Sequence, residues 1–307
     1  MNRNRNLHHP AEGQEAAAVA AAPLDEKLSP QQRLEHSLEL SDLVARVAVC
    51  IIGHVIVDYE DRLKDERFSV ASAFLQRMTS THLCNHKLTK EGIEYRLGDE
   101  VFHLHEEFKT MTLTRTVYEH LAMFYLLYEH PKSLEERTVV WNYWKINSRK
   151  NLLDQTADDE IEVLRREIFA TRLGCWCREK LDEWTAADKP TQNGCIEFYK
   201  AKGRTDVRRI AFSQAWKYLY EKDDMAQLYR HLSMHCHPVY NGLLQYQSQA
   251  VSDEGYDGIP LYLSSCFMAY LCRLFLRLLP DGNIILTRGF SSRERSVLKA
   301  LAQLPNE

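Results

Sequence analysis

The run QQRLEHSLELSDLVARVAVCIIGHVIVDYEDR, which follows Ser29-Pro30, sets the first constraint on the fold. Leu34, Leu38, Val44, Val47, Ile51, Val55 and Val57 recur at helical rather than alternating spacing, which predicts one long amphipathic helix. Pro30 suits the first helical turn, where an amide donor has no partner anyway, and Ser29 supplies the cap. Breakers are scarce throughout. Only 12 glycines and 9 prolines in 307 residues favour long helices over the many tight turns of a β-sandwich.

The pattern continues along the chain. A helix is expected near Phe68 to Met78, followed by a polar, irregular connection from Thr79 to Asp99. The period resumes in EEFKTMTLTRTVYEHLAMFYLLYEHP, ending at Pro131, and Ser133 opens a helix through Trp144, with Glu135 and Glu136 suited to its first turn. Asp158 to Trp184 is a further amphipathic segment, DKPTQNG breaks the pattern, and Cys195 to Asp206 is short and mixed. Helical segments are then expected at about Ala211–Tyr220, Met225–Cys236, Ile259–Leu279 and Ser291–Leu304. No repeat is evident, and no run alternates long enough for a central strand. The expectation is an all-α, multi-helix bundle: a single domain over residues 29–307 after a disordered tail, 1–28.

Forty-five per cent hydrophobic residues suffice for a substantial core, and a net charge of −4 gives no global field for nucleic acid. Any RNA contact needs a local basic patch. The eight cysteines are scattered without a CxxC pair, which favours reduced thiols in a cytoplasmic protein over a disulfide framework. In the N-terminal stretch, Glu12 and Glu15 interrupt an alanine run too weakly apolar for a secretory signal. Ile259 to Leu279 is the most apolar segment, yet Arg273 and Arg277 interrupt the roughly 20 apolar residues that a membrane span needs. A core helix is expected there, with no membrane partner.

Chemistry-bearing residues concentrate in YRHLSMHCHP, Tyr229 to Pro238. On a helix, Arg230 and His237 lie about 20° apart around the axis, and His231 and His235 share a side. Pro238 disfavours helical geometry at His237, placing the histidines at the negative end of the helix dipole, where protonated imidazole is favoured. Arginine and histidine at that end suit a phosphate ligand, and a histidine titrating near neutrality suits acid–base work. A helix cap bonding the last free carbonyls is the plainer alternative. His231 with His235, or His82 with His86 around Cys84, also have the spacing of a zinc pair. No HExxH occurs, and Glu100 to His103 is the one Glu-x-x-His of the two a di-iron bundle requires. No metal or cofactor is therefore assigned. Arg115 and Glu119, four apart on an apolar helix, are either a surface ion pair or a partly buried one lining a cleft. The basic run KAKGRTDVRR, Lys200 to Arg209, is either a solvated loop or a phosphate contact. No GxSxG, Walker or GxGxxG motif is present.

TRTVYEHLAMFYLLYEHP resembles the Arg-x-x-x-Glu helix, ending at proline, of a bacterial family of helical domains of unknown function. That family's later motif is matched by Tyr229, Leu232, Ser233, His237 and Pro238, and the resemblance covers roughly residues 35 to 285. The chain also resembles the HEPN ribonucleases, whose signature is an arginine, a polar residue, and a histidine separated from the arginine by four to six intervening positions. Arg230 and His231 fit the first two places, and both His235 and His237 fit the last. The resemblance implies metal-independent RNA cleavage, in a toxin or phage-defence setting, at a site shared across a homodimer. Arg230 would hold the phosphate and His235 or His237 would take the 2′-hydroxyl proton, with His231 orienting them. Tyr229 and Ser233 of the first family's motif are further binding candidates, and Arg115 and Glu119, with His237, would hold a ligand cleft or a partner if the protein is not a nuclease. A non-catalytic ligand- or partner-binding helical module remains the alternative, and a metal-binding bundle the third.

Overall fold

The computed structural model describes residues 10–97, 100–104, 107–149, 157–186, 195–210, 214, 219, 224–234 and 257–303. The described chain is a predominantly helical bundle, as expected, with two short hairpins. In chain order the elements are α1 (Pro10–Ala21), α2 (Pro30–Asp58), α3 (Glu66–Glu91), β1 (Ile93–Leu97), β2 (Glu100–Leu104) and α4 (Glu107–Tyr128). Then come α5 (Leu134–Arg149), α6 (Ala157–Ala170), α7 (Arg172–Trp176), α8 (Arg178–Ala186), β3 (Cys195–Ala201) and β4 (Arg204–Ile210). The last four are α9 (Asp224–Met234), α10 (Ile259–Leu276), α11 (Gly282–Gly289) and α12 (Ser292–Leu301). Two compact units are formed, Met1–Leu121 with Lys222–Glu307, and Ala122–Glu221.

The first unit is organised around α2, α3 and α10, each packed on the other two. Ser29 caps α2 through a reciprocal pair: its Oγ accepts from the Gln32 amide at 3.2 Å, and its own amide donates to the Gln32 side chain at 2.9 Å. Such a capping box stabilises a helix start by about 1 kcal/mol. Below it, Leu40, Val44, Val47, Ala48, Ile51 and Val55 form the buried stripe, whereas Val57 lies exposed past its end. α10 buries fourteen of its 18 residues, which makes it the central helix and explains its nearly continuous apolar sequence. By length and composition alone α2 and α10 could each cross a membrane; here they bury their apolar faces on each other. Within the segment expected as a tail, α1 packs on α12 and buries Ala16 and Ala20.

The irregular connection expected after Met78 is instead continuous helix: α3 runs on to Glu91 before β1 begins. Its buried residues are Phe68, Ala71, Ser72, Leu75, Met78, Thr79, His82, Asn85 and Thr89, one unbroken helical stripe. Halfway along, that stripe changes from apolar to polar, so hydrophobic periodicity fades while the helix does not. Each polar member must then find a partner, since an unpaired buried polar group costs about 1–3 kcal/mol. His82, fully buried, sits between two serines: Nδ1 is 2.8 Å from Ser264 Oγ of α10 and Nε2 is 3.0 Å from Ser41 Oγ of α2. The Ser41 carbonyl, which can only accept, lies 3.4 Å from Nε2. The tautomer protonated at Nε2 therefore fits, with Nδ1 accepting from Ser264. Ser41 Oγ is in turn 3.0 Å from His86 Nδ1. One turn along, Asn85 donates to Thr114 Oγ1 of α4 at 2.9 Å, and Thr114 donates to the Pro260 carbonyl of α10 at 2.7 Å.

In the second unit, α5 and α6 pack together, and Trp141, Tyr143 and Ile146 of α5 are buried. The single amphipathic helix expected from Asp158 to Trp184 is broken into three. Thr171 ends α6 and caps α7, its Oγ1 accepting from the Gly174 amide at 2.9 Å. A Cβ at Gly174 would stand 2.0 Å from the Ile168 carbonyl oxygen, so this corner needs glycine. The mixed segment after Cys195 is the antiparallel hairpin β3–β4, joined by Lys202 and Gly203, both at positive φ (50° and 77°). Two left-handed residues are what a tight two-residue hairpin turn requires, and glycine adopts that geometry without strain. Both hairpins have strands too short to show alternation in the sequence. The basic run thus forms a turn and a strand: Arg208 pairs with buried Glu197, the Arg209 guanidinium lies 4.6 Å from the Trp184 ring centroid, and Lys202 and Arg204 are exposed.

Burial pushes the His82 imidazole down from its ordinary 6.5 to about 4. Between these values the unfolded chain holds more protons than the folded one, so the stability contribution is complete above pH 6.5 and lost as pH falls. From about pH 7.5 to pH 5 the loss from this residue is about 2 kcal/mol. Urea unfolding at the two pH values should show a smaller drop for His82→Asn than for the wild type by about that amount. Equal drops would mean that His82 is not the buried neutral group.

Candidate functional site

The first unit brings together three of the residues singled out by sequence, two from α4 and one from α9. Arg115 and Glu119 lie one turn apart on α4, and Arg115 Nε donates to Glu119 Oε1 at 2.8 Å. Tyr229 of α9 completes a ring: Arg115 Nη2 donates to its Oη at 3.3 Å, and the Tyr229 hydroxyl donates to Glu119 Oε1 at 3.1 Å. The guanidinium also lies 5.3 Å from the Tyr229 ring centroid, within cation–π range. Side-chain exposures of 18% for Arg115 and 34% for Glu119 place the pair partly inside the protein rather than on an open surface. That decides between the two alternatives left by the spacing.

Electrostatics fit this closed arrangement. Burial, followed by the negative charge of Glu119, raises the Tyr229 phenol above its usual range, so it stays protonated and donates. Arg115 supplies the balancing charge. Beside them Tyr118 packs against Tyr229 and Phe267 of α10, with ring centroids 5.9 and 5.0 Å away. Its buried hydroxyl has no hydrogen-bond partner among the described residues, and burial raises its pKa strongly. No pattern in the chain singles out Tyr118: it is one aromatic in an aromatic-rich helix, and only the approach of α9 sets it apart.

The remaining residues of the Tyr-Arg-His cluster follow from how Tyr229 is held. Leu232, three positions on, is buried on the same face, and Ser233 Oγ donates back to the Tyr229 carbonyl at 2.6 Å. With that face inward, Arg230 is turned to solvent and His231 is intermediate. His235 and His237, with Cys236 and Pro238, lie outside the described residues, so the expected pairing of Arg230 with either histidine does too. The His82, Cys84 and His86 set does not gather: His82 is held between serines and Cys84 points to solvent. Among the described residues no group of three histidine, cysteine or carboxylate side chains is placed to hold a metal.

No family model, curated protein or solved structure matches the chain. Its chemistry therefore rests on its own geometry. As arranged, the α4–α9 ring can hold a helix in a fixed rotational setting, and it can present the residue next to Tyr229 outward. With its carboxylate engaged by both Arg115 and Tyr229, Glu119 is not poised as a free base.

Two measurements test the ring. Removing the Tyr229 hydroxyl in Tyr229→Phe takes away both of its hydrogen bonds and should lower stability by about 1–2 kcal/mol. In a double-mutant cycle, Arg115→Met and Glu119→Gln should couple by about 1 kcal/mol, above the roughly 0.3–0.5 of an exposed helix pair. Coupling at or below that lower value would return the pair to the surface class.

Proposed function

We propose that the protein is an HEPN-like, metal-independent endoribonuclease of the bacterial toxin or phage-defence type, acting in the cytoplasm as a homodimer. In this reading Arg230 binds the scissile phosphate and stabilises its developing charge, and His235 or His237 takes the 2′-hydroxyl proton. The 2′-oxygen then attacks phosphorus and the 5′-oxygen leaves with a proton. The reading is supported by one observation above others. The ring of Arg115, Glu119 and Tyr229 fixes the rotation of α9, so that Arg230 faces solvent near the end of the helix.

A non-catalytic binding module is the second reading, and the mutual engagement of the three ring residues favours it, because no carboxylate there is left for acid–base work. The experiment separates the two. Purified protein incubated with a structured RNA pool should produce cleavage in the presence of a chelator. Arg230→Ala should lower the rate by about a hundredfold or more at unchanged thermal stability, and one of His235→Ala and His237→Ala should do the same. Full cleavage by all three variants would end the nuclease reading, and RNA binding without cleavage by the wild type would select the module.

A further inference from the structure

Away from α4 and α9, the first unit contains a cavity of about 570 Å³ between α2 and the C-terminal helices α10, α11 and α12. Its walls are apolar, with Val47, Cys272, Leu276, Leu286 and Leu298 among them. Burial pushes the Cys272 thiol up to about 12, so that wall stays uncharged at neutral pH. Against this apolar lining stand, among the described residues, four cations, Arg273, Arg277, Arg295 and Lys299, and no Asp or Glu. In a chain of net charge −4 that local excess is not the average composition.

The cations come in two like-charged pairs, each four apart on its helix or helix end and each turned to the same space. Like charges at this spacing repel, which costs a helix a few tenths of a kcal/mol per pair. Position near the helix C-termini offsets part of that for Arg273, Arg277 and Lys299, whereas Arg295 lies near the N-terminus of α12, where the dipole opposes a cation. The dipoles do not account for a half-open pocket of this volume, nor for the half-buried setting of Arg273 and Arg295. The guanidinium of Arg273 and the charged ends of Arg295 and Lys299 make no ion pair or side-chain hydrogen bond among the described residues. Elsewhere in the same unit, partly buried arginines are paired, Arg33 with Asp257 and Arg115 with Glu119.

We propose that this cavity is a binding site for a small organic phosphate: a dianionic head held by Arg273, Arg295 and Lys299, with an apolar body lying along the α2–α10 wall. The volume falls within the range of small-molecule sites, roughly 300–1,000 Å³, where a few polar groups fix an otherwise apolar ligand. Arginine forks match phosphate oxygens in pairs, and desolvation by the apolar walls strengthens each charge-assisted bond. The site shares no residue with the α4–α9 ring or with Arg230, so it stands whether or not the protein cleaves RNA.

Calorimetric titration tests the proposal, with octyl phosphate and 1-naphthyl phosphate as probes and inorganic phosphate and 1-octanol as controls. At least one ester should bind about tenfold or more tightly than either control. Preference between the two esters tells a lipid-like from an aryl or nucleotide-like body. Arg273→Gln and Arg295→Gln should each weaken the ester about tenfold, whereas Arg288→Gln, exposed and outside the cavity, should leave it unchanged. Lys299→Gln repeats the test at an exposed position, where folding is not at stake. The proposal is overturned if neither ester binds more tightly than inorganic phosphate, or if the folded variants retain wild-type affinity.

Discussion

A neutral imidazole buried among three helices is the constraint on which the first unit depends. His82 of α3 contacts a serine on α2 and a serine on α10. Those hydrogen bonds exist only when the three helices stand in one register and one rotation. Apolar packing alone tolerates sliding, because one leucine is nearly as good as another against an apolar wall. A buried polar chain does not, since each misplaced group is left unpaired in a low-dielectric interior. The adjacent link from Asn85 through Thr114 to the Pro260 carbonyl carries the same discipline to α4. α4 is the helix that presents Arg115 and Glu119.

The first unit uses charge in two contrasting ways. In the ring of Arg115, Glu119 and Tyr229, cation, anion and phenol meet one another's demands, and the product is a fixed helix orientation. In the cavity beside α10 and α12, cations gather with no carboxylate among the lining residues. The first arrangement is complete as it stands. In the second, Arg273, Arg295 and Lys299 have no such partner among the described residues, which is the difference on which the proposed binding site rests.

Much of this was legible in the residues, and what was not has identifiable causes. The α2 cap at Ser29-Pro30, the helical class and the Arg115–Glu119 pairing all rest on contacts within one turn, which sequence spacing encodes directly. The second half of α3 was hidden because Thr79, His82, Asn85 and Thr89 carry its buried stripe with polar side chains. The hairpin β3–β4 was hidden because its strands are seven residues each and its turn, Lys-Gly, lies inside a basic run. His82, which the spacing offered as half of a zinc pair, takes its actual partners from Ser41 and Ser264, 41 and 182 positions away. Arg273 and Arg277 stood out only as interruptions of an apolar helix; their meaning depends on Arg295 and Lys299 arriving from another one.

By itself, then, the sequence determined the helical class and the helices whose buried stripe is apolar, where proline and serine start α2, and which residue pairs share a face. Periodicity and capping are local properties, and 3.6 residues per turn is a strong enough rule to read without a structure. Tertiary structure alone decided what the polar residues are for. A buried histidine, a tyrosine between arginine and glutamate, and a cationic cavity are each made by side chains more than a hundred positions apart, or on separate helices. Their pairing follows from long-range packing, which no local pattern in the chain records.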